Sequence, residues 1–173
     1  NQSLLIGRRM AVAKRFLLAK KDFLELCLLA DFLEQTDLIM EVNIFKNIKD
    51  SLNKIKEYCR ISPTMEICGF LGYDEFRKKY IVQLEKNCSN DPRNFFAIDA
   101  LRYLLFKQKY TLISVFHSHV VGDEKPSEFD IKMSENCCIP FLVYGLNTDK
   151  FDIYQPKNIE FDVKILKRIK ANI

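Results

Sequence analysis

The run Tyr110–His119, YTLISVFHSH, constrains the chain more than any other stretch. Its residues are apolar and nearly continuous until the two histidines, which is the signature of a buried strand. The segments around it alternate in type. IFKNIKDSLNKIKEYCR, 44–60, sets Ile44, Ile48, Leu52, Ile55 and Tyr58 at the 3.6-residue period of an amphipathic helix, and SPT ends it. EICGFLGY (66–73) and KYIVQLEKN (79–87) read as strands joined by the polar turn DEFRK. A helix is expected from about Asp99 and another in PSEFDIKMSENC, followed by a strand pair in PFLVYGLN and KFDIYQP; NIEFDVKILKRIK closes the chain. Helix, strands, helix, strand, helix, strands: the order predicts an α/β body without repeats or low-complexity linkers.

At 173 residues the chain is long enough for one ordinary domain with a proper core, plus an appendage. Residues 1–41 form that appendage and 42–173 the body. Arg8, Arg9, Lys14, Arg15, Lys20 and Lys21 are followed by Asp22, Glu25, Asp31, Glu34, Asp37 and Glu41, with no mixing of sign. One helix with that polarity would oppose its own macrodipole, whereas two helices meeting near Lys21–Asp22 would not. The expectation is a helical extension that packs on the body or on a protein partner. The start at Asn1 suggests a fragment or two joined pieces, with Met40 as a natural start of the body. A net charge of +4 is too mild to argue for nucleic acid. No apolar run reaches the roughly 18–20 residues of a membrane span. The six cysteines contain no C-x-x-C pair and most sit in apolar runs. They read as reduced, and the expected location is cytoplasmic.

His117 and His119 are the only histidines in the chain. On a strand, residues i and i+2 share a face, so both imidazoles project together while Ser118 turns away. That arrangement lets two histidines share one ion, and Asp130, at the start of the next helix, is the nearest third ligand. A second reading needs no metal. Ser127 and Asp130 fit a capping box, with Ser127 as N-cap and a carboxylate three residues later, and H-x-H can be strand-end polarity. Both readings stand on these residues alone.

The full string is more demanding: His117-x-His119, seven residues, then Ser127-x-x-Asp130, with Glu66 upstream in MEICGFLGY before Cys68–Gly69. It resembles the JAMM motif of the MPN-domain metalloproteases. NDPRNFFAID, between the second strand and the following helix, is also similar to that family, and the similarity covers roughly residues 42–157. The resemblance implies an MPN mixed sheet flanked by helices, a fold related to cytidine deaminases. It implies that His117, His119 and Asp130 ligate Zn2+, with a water in the fourth position. Glu66 would accept a proton from that water and return it to the departing amine, and Ser127 would donate a hydrogen bond to the oxyanion. The implied activity is hydrolysis of a peptide or isopeptide bond, in the setting of a ubiquitin-like protein, of its precursor, or of phage tail assembly. The compact body favours the prokaryotic branch and cleavage after the C-terminus of a ubiquitin-like protein.

The alternative is a non-catalytic MPN scaffold or binding module, against which stands the presence of all five motif residues. Zinc deaminases carry H-x-E and P-C-x-x-C. This chain has H-S-H and an adjacent Cys137–Cys138, so deaminase chemistry is disfavoured. Cys68 is expected to pack beside Gly69 rather than to ligate. Asp123 and Glu124 are read as solvated loop charge, with a preference for a basic substrate tail as the functional variant. Substrate specificity is expected in loops 73–79 and 88–98, with the substrate laid beside the site as an added strand.

Overall fold

The computed structural model describes residues 41–157 and 163–173. The expected helical extension over 1–41 lies outside the described residues, apart from Glu41. Within them the elements run β1 (Val42–Phe45), α1 (Ile48–Ile61), β2 (Cys68–Asp74), β3 (Lys79–Glu85), α2 (Ala100–Lys109), β4 (Thr111–His119), α3 (Glu128–Cys137), β5 (Phe141–Gly145), β6 (Lys150–Tyr154) and α4 (Val163–Lys170). The six strands form one mixed sheet in the order β1-β3-β2-β4-β5-β6. Every neighbouring pair is antiparallel except β4 and β5, which α3 connects in parallel. The expected α/β class is what the chain adopts.

One boundary differs from expectation. The helix expected over 44–60 starts at Ile48, capped by Asn47, whose side chain accepts from the Asp50 N–H at 2.9 Å. Val42–Phe45 instead pairs with β3 as an edge strand. Ile44 matched the helical period, but it is half exposed on that edge. The reason is the cap: Asn47 bonds its own downstream backbone, which stops the helix from extending backwards.

The central strand organises both cores. Cα partners between β2 and β4 shift register between Leu71 and Gly72, which leaves Ile113 without an opposite residue. Beyond that irregularity, Val115 and His117 face one side of the sheet while Phe116 and Ser118 face the other. Phe116, Leu71 and Leu142 pack with Leu52, Ile55 and Cys59 of α1 and with Leu166 and Ile169 of α4. Val115, Phe70 and Phe141 pack with Phe106 of α2 and Met133 of α3. A Cβ on Gly69 would come within 2.5 Å of the Phe116 ring, so only glycine lets that ring lie across β2. The five described cysteines, Cys59, Cys68, Cys88, Cys137 and Cys138, are free thiols. No helix among the described residues is long and apolar enough to cross a membrane.

Candidate metal centre

Three elements converge at the end of β4. Cys68 stands opposite His117 in the antiparallel register of β2 and β4. The pairing continues past the ladder: the Ser118 N–H donates to the Ile67 carbonyl and the Ile67 N–H donates to Ser118 Oγ, both at 2.9 Å. Two residues further along the same register, Glu66 falls across from His119. Ser118 is fully buried on the α1 side, so its hydroxyl clamps the two strands while both imidazoles point the other way. The expected split of H-S-H across the strand is present.

His117 Nε2, His119 Nε2 and the two oxygens of the Asp130 carboxylate close on one another. The two Nε2 atoms are 3.2 Å apart, His117 Nε2 is 3.2 Å from Oδ1 of Asp130, and His119 Nε2 is 3.2 Å from Oδ2. A tetrahedral ion with bonds of about 2.0 Å has ligand–ligand edges of about 3.3 Å. Two imidazole lone pairs that close repel each other unless a proton or a cation lies between them. The donor set, two nitrogens and one carboxylate, therefore fits a metal ion by chemistry and by spacing.

The surroundings hold these atoms in place. His119 Nδ1 lies 2.9 Å from the Asp123 carbonyl, which only accepts, so Nδ1 carries the hydrogen and Nε2 is left for the cluster. His117 is wholly buried, with its ring stacked on Phe96 at 4.4 Å between centroids and edge-on to Phe141. Its Nδ1 has no hydrogen-bond partner among the described residues, so ring packing and the Nε2 contact with Asp130 orient it. Burial pushes the His117 imidazole below its ordinary pKa. Burial also disfavours charge on His119, but its contacts with Asp130 and the Asp123 carbonyl outweigh that and raise it.

Asp130 serves both readings of its segment at once. Ser127 accepts from the Asp130 N–H at 3.1 Å, and the Ser127 N–H donates to Oδ2 at 2.8 Å, completing the capping box of α3. The same carboxylate faces both histidines. Burial opposes its ionisation, yet the charge and hydrogen bonds of His117, His119 and Ser127 hold it well below the usual carboxylate range. The cap is thus the device that aims the third ligand. Ser127 Oγ also donates to Oδ2 at 2.6 Å. Its proton is committed to Asp130 and must turn away before it can serve a substrate oxygen.

Glu66 is buried, and its carboxyl is pushed up to about 8, chiefly by that burial; Asp130 and Asp91 add to the rise and His119 opposes it. Its backbone is held by bonds to Pro92 and Asn87. Glu66, His119, Ser127 and Asp130 line one open cleft of about 230 Å³. A carboxyl in that range can both take and return a proton near neutral pH.

Other expectations resolve against the same geometry. Cys68 points its thiol at the Glu85 carbonyl, 3.8 Å away, and is outside the cluster. Asp123 accepts from the Lys125 N–H at 3.0 Å and Glu124 from Thr148 Oγ1 at 2.6 Å, so the loop uses both acids internally. β4 has neighbours on both edges, and the open edges of the sheet are β1 and β6. A strand added beside the site therefore cannot pair with β4 itself. Phe96 and Gly145 shape the site without any readable signal in sequence, because each acts through a contact with a distant segment.

No family model matches the chain, and no curated protein matches it. Among solved structures it is similar to protein DSY2949 from Desulfitobacterium hafniense, at 18% identity over 62% of this chain and 88% of that one, with a TM-score of 0.46. A protein from Salinibacter ruber is similar at 17% identity over 63% of this chain and 90% of that one, with a TM-score of 0.37.

Proposed function

We propose that this protein is a zinc-dependent hydrolase of peptide or isopeptide bonds, of the JAMM type on an MPN fold. The observation that carries the reading is the cluster of 3.2 Å contacts among His117, His119 and Asp130, with the buried Glu66 beside it in the cleft that His119 and Asp130 line. A buried carboxyl beside a histidine–carboxylate ligand set is more than a cap requires. The two histidines and Asp130 would hold the ion. What a bound zinc supplies is Lewis acidity, which polarises a carbonyl and brings the pKa of a coordinated water down to about 7.

The chain's own groups account for the rest. Glu66, across from His119, takes a proton from the attacking water and returns it to the departing amine. Ser127, once its hydroxyl turns from Asp130, donates to the developing oxyanion. Phe96, at the back of His117, keeps that ligand dry and fixed. The substrate class is an extended polypeptide end, with the C-terminus of a ubiquitin-like protein as the first choice. A protein partner is proposed to engage residues 1–41, of which all but Glu41 lie outside the described residues.

The test is incubation with ubiquitin-like fusions, with and without a chelator, beside elemental analysis of the purified protein. Zinc near one equivalent and chelator-sensitive cleavage are expected. Glu66→Gln should retain zinc and lose turnover by at least about a thousandfold, the scale of a missing general base with its positioning. Cleavage by that variant at the parent rate would remove Glu66 from the mechanism. Protein without zinc at neutral pH would leave the non-catalytic scaffold as the reading.

A further inference from the structure

The cleft has a charge pattern that its catalytic groups do not explain. Arg93, from the loop between β3 and α2, and Lys125, from the loop between β4 and α3, both line it. The first loop also binds the Glu66 backbone, through the Pro92 carbonyl, and the second carries Ser127. The two cations therefore stand on opposite banks, one on the side of the proposed base and one on the side of the ligands. Neither forms an ion pair among the described residues. The neighbouring acids are already engaged: Asp91 accepts from Asn94, Asp123 from the Lys125 N–H, and Glu124 from Thr148. Phe95 and Phe129, in contact at 5.5 Å between centroids, give the same cleft an apolar wall. Apolar surface beside a charge strengthens its field, so a cation there selects its ligand by sign.

We propose that Arg93 and Lys125 form an anion subsite that binds a carboxylate of the substrate beside the bond to be cleaved. The inference deepens the hydrolase reading and rests on it for the word substrate; the binding itself does not depend on turnover. Arginine presents a planar fork that matches a carboxylate, and lysine a mobile point charge that can close on it from the other bank. The carboxylate can belong to an acidic side chain or to a free C-terminus, which share this chemistry. A basic tail would meet like charge at Arg93 and Lys125.

The experiment uses protein freed of metal by a chelator and then dialysed, titrated with three peptides while backbone amide NMR shifts are followed. The probes are acetyl-Gly-Gly-Ala-Ala with a free C-terminal carboxylate, the same peptide amidated, and acetyl-Gly-Gly-Glu-Ala amidated. At least one carboxylate peptide should shift the amides around Arg93 and Lys125 with a Kd at least tenfold below that of the fully amidated peptide. The better of the two names the source of the carboxylate. In the Arg93→Gln/Lys125→Gln variant the advantage should fall below twofold; both side chains are exposed, so the fold should survive. Equal affinity of all three peptides, absence of shifts at the cleft with millimolar peptide, or discrimination that persists in the double variant would each overturn the subsite. Because no bond is cleaved in this test, failure of the hydrolase reading shows separately, as absence of chelator-sensitive cleavage.

Discussion

At the scale of single residues, the burial of Glu66 costs the folded protein stability near neutral pH. The folded-state pKa of Glu66 is raised by burial to about 8 from an ordinary carboxylate value of 4.5. The folded protein therefore binds the Glu66 proton more tightly than the unfolded chain does. The contribution to stability is complete below about 4.5 and is lost as pH rises through 8. Glutamine keeps the shape and carries no charge. Metal-free Glu66→Gln should match the parent at pH 4.5 and exceed it at pH 7, by roughly 3 kcal/mol once the pKa difference is converted. Thermal melts of both proteins across that window are the measurement. Parallel curves would mean that Glu66 is solvated and is no poised base.

At the scale of elements, the loop after β4 and the turn between β5 and β6 act on His119 together. His119 and Gly145 are register partners in the parallel pair β4–β5. A Cβ on Gly145 would stand 2.7 Å from the Glu124 nitrogen and 2.9 Å from the Asp123 carbonyl carbon, both backbone atoms. Asn147 and Thr148 tie the same loop from the turn, to the Gly122 carbonyl and to Glu124. The close approach brings the Asp123 carbonyl to His119 Nδ1 and so sets the tautomer of a ligand. Gly145→Ala should push that loop away and weaken zinc binding at least tenfold, the usual range for a disturbed supporting group. Competition against a chromophoric chelator reads the change, and unchanged affinity would show that His119 needs no such support. The sequence offers only a glycine at a strand end here; the contact that explains it comes from residues more than twenty positions away.

At the scale of the whole molecule, the cluster joins the end of β4 to the start of α3, and through them the sheet to the helix layer packed on Met133 and Phe106. An ion that binds only the folded chain stabilises it by mass action, about 2.7 kcal/mol at one hundred times Kd. Zinc added to the metal-free protein should therefore raise Tm, and His117→Ala should abolish the rise. Differential scanning calorimetry at several zinc concentrations tests this, with a Tm independent of zinc as the failing result.

Much of this arrangement was legible in the linear chain, for reasons of range. The shared face of His117 and His119 follows from the two-residue period of a strand, and the pairing of Ser127 with Asp130 from a three-residue cap. Those are local rules, and the amphipathic helices and apolar strands obey them too. Val42–Phe45 escaped because a four-residue edge strand has no period long enough to stand against a neighbouring helix. What the tertiary structure alone decided is where separate segments meet. The register of β2 on β4 sets Glu66 across from His119. The fold likewise presses the 120–127 loop onto Gly145 and brings Arg93 and Lys125 to one cleft. Each depends on side chains tens of residues apart filling one space, and no local period records that.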